Sequence, residues 1–168
     1  MTMKDLREGF DSLWDSLSEG WSRLRDSARG ALTRFRAGDE AHLPDRSRVD
    51  DASFIASHGW ALIGGDVFED ERRLVVRLEV PGMDKKDFDI EVRDDVLVVR
   101  GEKRFEQESS DGRWRVLQCA YGSFERTVPL PVPVKADQAQ ARYRDGVLRI
   151  ELPKARPGAA RRIQLKVS

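Results

Sequence analysis

Few residues in this sequence are of the types that carry out chemistry. The two histidines, His42 and His58, lie in a polar stretch, and Cys119 is the only cysteine. The chain has no G-x-S-x-G nucleophile turn and no G-x-x-x-x-G-K-[ST] phosphate loop, and so few ligands give no metal spacing. We therefore predict no enzyme, no catalytic residue, no metal and no cofactor, with Cys119 structural rather than nucleophilic. A Ser–His–Asp or Cys–His site assembled from distant residues stays open on sequence alone.

The composition limits the class of protein. The chain has 168 residues, with 30 Lys and Arg against 30 Asp and Glu, so its formal net charge is zero. Nucleic-acid-binding proteins usually present a basic patch, and we expect no nucleic-acid partner. No apolar run is long enough for a membrane span, and the start lacks the apolar core of a signal peptide. A single cysteine fits a reducing compartment, so we expect a cytoplasmic location.

Residues 1–65 are expected to form an arm ahead of the folded domain. Apolar residues between 4 and 37 recur at steps of three and four, close to the helix period, which predicts an amphipathic helix over 4–37 that stops at Gly38. Its internal glycines each cost about 1 kcal/mol relative to alanine, so the helix should need a partner surface. Residues 38–65 are expected to be a polar connector. Its apolar clusters, Phe54-Ile55 and Trp60–Ile63, are either exposed patches or a short element packed on the domain.

Residues 66–153 have the alternation of apolar and polar residues that is typical of β-strands. The best candidates are Leu74–Val80, Phe88–Val92, Val96–Val99 and Phe124–Leu130, separated by Gly, Pro and Asp turn signals. Short strands at this spacing predict an all-β, immunoglobulin-like antiparallel sandwich. The charged stretch between Gly101 and Tyr121 is long for a loop inside a compact sandwich. It is either a mobile loop or an arm whose strand pairs with a neighbouring subunit.

The last residues contain a hairpin and a detached strand. Asp145-Gly146 stands between two alternating runs, a strong signal for a two-residue hairpin. Residues 154–168 then form a flexible extension, in which a proline- and glycine-containing tether precedes the alternating segment Ile163–Val167. A ten-residue tether reaches at most about 33–36 Å. The segment is therefore either disordered or free to dock on its own domain or on another subunit, which points to an assembly protein.

Together these segments resemble the small heat-shock proteins, whose β-sandwich is the α-crystallin domain, and bacterial members in particular. The resemblance covers about residues 66–152 and the tail. It rests on short motifs that occur in the order of the family: Leu78–Met83, Val96–Glu102, Tyr121–Arg126, the A-x-x-x-x-G-V-L signature in Ala141–Leu148, Leu152-Pro153-Lys154, and the tail motif Ile163-Gln164-Leu165.

The resemblance implies a chaperone that works without ATP. Such a holdase binds partly unfolded proteins and prevents their aggregation as a dynamic homo-oligomer built from dimers. Its implied partners are other copies of the chain, non-native client proteins and ATP-dependent refolding chaperones. The alternative is a β-sandwich co-chaperone or adaptor that binds one specific partner; suppression of client aggregation without nucleotide would separate the two.

The resemblance also implies roles for particular residues. Ile163 and Leu165 would insert into a groove of a neighbouring subunit, and Arg126, Trp114 and Val116 would lie at the dimer interface, Arg126 in an ion pair rather than as a surface side chain. Oligomer packing, client binding, or both fall to apolar residues of the arm: Phe10, Leu13, Trp14, Leu17, Trp21, Leu24 and Phe35. The signature hairpin contributes Ala141, Gly146, Val147 and Leu148.

Two departures from the family pattern affect these expectations. Leu165 stands where the family usually has a second β-branched residue, which should preserve docking and alter its strength. Gln118-Cys119 stand where many bacterial relatives have Glu-Arg, so one charged contact across the dimer is expected to be lost. Binding of the arm to membrane surfaces is not expected, because its polar face mixes both signs of charge.

Overall fold

Ten β-strands make up the fold in a computed structural model, which describes residues 28–155 and 163–168. Four short 3-10 helices connect some of them, at Asp39–Ala41, Arg46–Arg48, Lys85–Asp87 and Ala136–Gln138. In chain order the strands are β1 (Leu32–Arg36), β2 (His58–Leu62), β3 (Gly65–Glu69), β4 (Arg73–Glu79), β5 (Phe88–Arg93), β6 (Val96–Lys103), β7 (Gly122–Pro129), β8 (Gln140–Arg144), β9 (Val147–Pro153) and β10 (Ile163–Leu165).

The strands form two antiparallel sheets packed face to face, which confirms the predicted sandwich. One sheet has six strands in the order β10-β5-β6-β7-β1-β2, and the other has four in the order β3-β4-β9-β8. Neighbouring sequence segments pair as hairpins, such as β5 with β6 and β8 with β9. The strands predicted from alternation correspond to β4, β5, β6 and β7.

Alternation places one set of side chains from each sheet in a shared core. In β9, for example, Leu148, Ile150 and Leu152 are fully buried, while Arg149 and Glu151 between them pair with each other at the surface. Leu74, Val76 and Leu78 of β4 lie opposite the buried β9 residues in the ladder. Burying an aliphatic side chain contributes about 1.5–3 kcal/mol. The shared core between the two sheets therefore holds the domain together.

The β8–β9 hairpin turns at the predicted dipeptide. Asp145 and Gly146 both have positive φ, 51° and 79°, as a two-residue type I′ turn requires. An added Cβ at Gly146 would lie 3.2 Å from Pro81 Cβ. Glycine is therefore needed both for its backbone conformation and for this close approach.

The predicted helix over residues 4–37 is wrong from Arg29 onward. Ala28 is the last helical residue, Gly30 takes a left-handed conformation with φ of 81°, and the chain then enters β1. In this strand Thr33 and Phe35 face the core, and the three residues that alternate with them face outward: Leu32, Arg34 and Arg36. The spacing of apolar residues by three and four positions concealed this period of two. Residues 4–27 lie outside the described residues.

The connector also contributes to the sheet. The segment Trp60–Ile63 combines the two alternatives. It forms a packed element, because β2 pairs along its length with β1 and Ile63 is 2% exposed, but Trp60 and Leu62 are each 55% exposed. Two strands that precede residue 66 thus join the six-stranded sheet, so the sandwich draws on more of the chain than 66–153. The division into arm, domain and tail remains a prediction.

Phe35 provides a test of this strand. Its ring lies 4.9 Å from that of Phe124, so Phe35→Ala should lower the free energy of unfolding by about 3–5 kcal/mol. Leu32→Ala, on the outer face of the same strand, should change it by less than about 0.5 kcal/mol. Urea denaturation of both variants measures the difference. Equal effects would contradict a core-forming β1.

Candidate assembly and binding surfaces

The tail strand closes one side of the sandwich. β10 pairs with β5, with Ile163 opposite Val92 and Leu165 opposite Ile90. Beyond it, Val167 forms a parallel bridge with Ala141 of β8. The tail therefore crosses from the edge of one sheet to the edge of the other, and the side chains of Leu165 and Val167 pack against the core between them.

Backbone hydrogen bonds fix the end of the tail on β8. The Ser168 N–H donates to the carbonyl of Ala141 over 3.1 Å, and the Tyr143 N–H donates to the carbonyl of Ser168 over 3.4 Å. The Ser168 hydroxyl also donates to the Ala141 carbonyl over 3.1 Å. The tail thus lies in a groove between β5 and β8 of its own chain. Docking on a neighbouring subunit remains a prediction.

The signature hairpin forms one wall of this groove. Ala141, 2% exposed, meets the tail directly, and the fully buried Leu148 pairs with Tyr143 across the hairpin. The Tyr143 hydroxyl donates to the carbonyl of Val80 over 2.8 Å, and its ring lies 5.0 Å from that of Phe88. Val147 is half-buried and ends the ladder opposite Glu79. Of the motif residues, Ala141 contacts the tail, and Leu148 packs in the core behind it.

A buried carboxylate stiffens the opposite wall. Glu91 of β5 has a side chain only 1% exposed, and Arg93 donates to both of its oxygens, over 2.9 and 3.0 Å. Arg100 of β6 reaches Glu91 over 3.3 Å and Glu125 of β7 over 2.8 Å. Two arginines thus donate to the buried charge, as burial requires, and the network links the strand that receives the tail to the two strands behind it.

The long arm between Gly101 and Tyr121 folds back on its own chain. Phe105 and Trp114 lie with ring centroids 4.9 Å apart, in a small second core with Val49 and Leu117. Trp114 forms a parallel bridge with Val49, while Val116 remains 60% exposed. A single chain does not test strand exchange, and the assignment of Trp114 and Val116 to a dimer interface remains a prediction.

Two aspartates of the connector hold this arm. Arg113 and Arg115 both form ion pairs with Asp50, and the Leu117 N–H donates to Asp51 over 3.1 Å. The hydrogen bond from Arg113 lowers the pKa of Asp50. The hydroxyl of Ser53 and then the N–H of Leu117 lower the pKa of Asp51. Neither contact was predicted, because residues 63 or more positions apart carry no local sequence signal.

Arg126 is half-buried on the core-facing side of β7. Its Nε lies 3.4 Å from the carbonyl of Ile63, and its Nη1 donates to the Thr127 carbonyl over 2.8 Å. Burial lowers the pKa of its guanidinium. Within residues 28–155 and 163–168 it forms no ion pair, so the predicted ion pair would need another partner and remains a prediction.

The residues of the N-terminal arm that were predicted to bind clients divide into two groups. Phe35 is buried in the core, so its assignment as an adaptable, exposed contact is wrong; the alternating Thr33-Arg34-Phe35-Arg36 was the missed signal. The others lie outside the described residues: Phe10, Leu13, Trp14, Leu17, Trp21 and Leu24.

Exposed apolar side chains occur in both apolar clusters of the connector, as one of the two alternatives predicted. Ile55, Trp60 and Leu62 are each about half exposed. Ile55 and Trp60 border a cleft of about 260 Å³ that is also lined by Leu43, Phe54, Leu117 and Tyr121. On the other sheet, every residue of the edge strand β3 is exposed, including Val67 and Phe68. A soluble domain normally covers such patches unless they bind something.

The described residues offer little for catalysis. Cys119 is exposed and lines the same cleft as His58, yet no hydrogen bond joins the two among the described contacts. No group of three His, Cys, Asp or Glu in the described part of the chain is placed to hold a metal ion. No described helix is long and apolar enough to cross a membrane.

Comparison with known proteins gives a consistent result. The model of the "Hsp20/alpha crystallin family" matches residues 66–166. "Small heat shock protein C2" of Rickettsia felis is 32% identical over 101 residues, 60% of this chain and 66% of that protein. "Alpha-crystallin" of Mycobacterium tuberculosis is 47% identical over 83 residues, 49% of this chain and 55% of that protein. The match thus spans less than two thirds of either relative.

Solved structures with the same fold cover a similar part of the chain. "Heat shock protein 16.0 from Schizosaccharomyces pombe" has a TM-score of 0.52 at 31% identity, over 59% of this chain and 92% of that one. "hspA from Xanthomonas axonopodis" has a TM-score of 0.50 at 33% identity, over 58% and 96%. The resemblance noted from the motifs is confirmed.

Asp50→Asn should release the segment between Gly101 and Tyr121 from the connector. Backbone amides of residues 113–117 should exchange with deuterium several-fold faster, because the ion pairs to Arg113 and Arg115 weaken. In the wild type this protection should be complete above the ordinary aspartate pKa of 3.8 and disappear as the pH falls below it, through the lowered pKa. Asp45→Asn, an exposed aspartate without an ion pair among the described residues, is the control. Equal exchange in the three proteins would contradict this role of Asp50.

Proposed function

The chain belongs to the Hsp20/alpha crystallin family, and on this premise we propose that it is an ATP-independent molecular chaperone. It binds partly unfolded proteins and prevents their aggregation, as a dynamic homo-oligomer built from dimers. The observation that carries the proposal is the exposed apolar cleft beside Ile55 and Trp60, a surface that a soluble monomer has no reason to maintain.

Client binding at the cleft needs no nucleotide. Apolar side chains exposed by a partly unfolded protein gain about 25 cal/mol for each Å² that they bury, and the gain is reversible because no covalent or ATP-driven step is involved. The lining of the cleft combines aromatic and aliphatic side chains with the polar side chains of Ser53, His58 and Gln118. Such a surface accepts many sequences, and a client bound there is removed from contact with other clients.

Assembly is proposed to use two segments that the chain now holds against itself. The tail strand β10 would leave its own groove and enter that of a neighbour, and the arm with Trp114 and Val116 would pair with the open edge of β3 in a second copy. The exposure of Val67 and Phe68 on β3 supports this edge as the receiver. Each bond is weak, but within an oligomer the effective concentration of the neighbour is high.

The arm before residue 28 is proposed to share both roles. Its apolar residues Phe10, Leu13, Trp14, Leu17, Trp21 and Leu24 would pack in the oligomer and contact clients when subunits separate. The ion pair expected for Arg126 would then form with a carboxylate of a second copy. We place this activity in the cytoplasm, where ATP-dependent chaperones would refold the released clients.

An aggregation assay tests the chaperone role. The chain should suppress the turbidity of a heat-denatured protein at equal mass without nucleotide, and Ile55→Glu should suppress it less, because a carboxylate enters the apolar cleft. Ile55→Leu keeps the cleft apolar and should behave as the wild type. No suppression by the wild type would refute the holdase function. Equal suppression by Ile55→Glu would exclude the cleft as the client-binding site and would leave the holdase function itself standing.

A tail variant tests assembly separately. Leu165→Asp should reduce the mass of the oligomer in light scattering, since full burial of a leucine contributes about 1.5–3 kcal/mol and a carboxylate against the core reverses this gain. Lys166→Asp changes the charge on the exposed side of the same tail and should leave the mass nearly unchanged. An unchanged mass for Leu165→Asp would show that the tail does not link subunits.

A further inference from the structure

The edge of the six-stranded sheet at β2 has unpaired backbone groups. β2 is the last strand of its sheet, with β1 as its only partner among the described strands. Backbone hydrogen bonds join Ala37 to Ser57 and Ile63 to Ala31. The N–H and C=O groups of the odd-numbered residues of β2 therefore point toward β1. By the alternation of an antiparallel ladder, the N–H and C=O groups of Trp60 and Leu62 point away from β1. No backbone hydrogen bond to either residue comes from elsewhere in the described chain.

The same two residues carry exposed apolar side chains. Trp60 and Leu62 are both 55% exposed and lie on the outer face, next to Leu32, which is 53% exposed. β2 contains no Pro, Lys, Arg, Asp or Glu, the residues with which natural proteins protect an edge from further pairing. In contrast, the tail covers the edge of β8.

This edge is complementary to itself. Two copies of β2 can pair in antiparallel orientation about a twofold axis at Ala61. Trp60 of each copy then lies opposite Leu62 of the other copy. Both pairs are of the hydrogen-bonded type, so the four free donors and acceptors on each copy are satisfied. An apolar residue faces an apolar residue at each position, and no charged residues of β2 meet. These features favour the cross-strand pairs that stabilise a sheet.

We infer that β2 is a self-association site at which a second copy of this chain adds its own β2, joining two six-stranded sheets into one. Other occupants fit less well. The stretch over residues 4–27 has a helical rather than a strand period, and the tail strand is seated on β5. A short strand pair is weak alone, so the contact adds to subunits that other contacts already hold together. The inference concerns a contact distinct from the tail and the arm, and it does not depend on client binding.

Disulfide trapping tests this pairing. In a Cys119→Ser background, which removes the exposed native thiol, Ala61→Cys places two thiols at the axis. The Cα atoms there should be about 4.5 Å apart, within the range that a disulfide spans. Linked dimers should form on oxidation of the full-length chain. Thr127→Cys, an exposed position in the interior strand β7, is the control and should form few.

A charge exchange tests the register. Adding Trp60→Glu or Leu62→Lys singly to Ala61→Cys should slow linkage by about tenfold, because an apolar pair is lost on both sides of the axis. The double variant Trp60→Glu/Leu62→Lys should recover most of the rate, because each new carboxylate then faces a new ammonium group of the second copy. Circular dichroism checks that the variants are folded.

Two results would overturn the inference. Linkage through Ala61→Cys no faster than through Thr127→Cys would show that β2 does not meet its copy. Failure of the double variant to recover would exclude pairing about Ala61. The readout is covalent linkage, so its failure leaves the proposed chaperone function untouched.

Discussion

Every open β-sheet ends in strands whose N–H and C=O groups lack a partner, and this constraint underlies the other features of the molecule. Two sheets give four edges, formed by β10, β2, β3 and β8. The tail closes the side between β5 and β8, and it does so with backbone bonds and with the apolar side chains of Leu165 and Val167. The edges at β2 and β3 remain open in the described chain. A sandwich of this kind is complete only when other segments, from its own chain or from another copy, cover its edges.

The covering segments are attached by means that allow exchange. The segment between Gly101 and Tyr121 is held by ion pairs with Asp50 and by the small cluster around Phe105 and Trp114. This cluster is separate from the main core. The tail adds three residues beside β5, a strand that Glu91 links to β6 through Arg100. The proposed exchange requires the groove to stay folded while the tail leaves it. Such local contacts open more easily than the core.

Sequence alone predicted the sandwich well, because period-two alternation and the turn at Asp145-Gly146 are local signals. It failed at residues 29–37, where steps of three and four matched a helix, although β1 is built from the alternation around Phe35. It also missed the contacts of Asp50, and it left an exposed patch and a packed element as alternatives for Trp60–Ile63, because both depend on which distant segments come together. Family motifs identified the tail segment, but the residues around β2 lie before the matched region and had no such guide.

The tail, which occupies a groove of its own chain, is proposed also to exchange into the groove of a neighbour. NMR tests this exchange with two kinds of chain that are mixed: Cys119→Ser chains without ¹⁵N that carry a spin label at Lys166→Cys, and ¹⁵N-labelled chains without a spin label. We expect the amide signals of Val92 and Ala141 in the ¹⁵N-labelled chains to broaden as the spin-labelled chain is added, because its tail reaches their groove. Broadening of these signals only when spin label and ¹⁵N are in the same chain would contradict exchange between subunits.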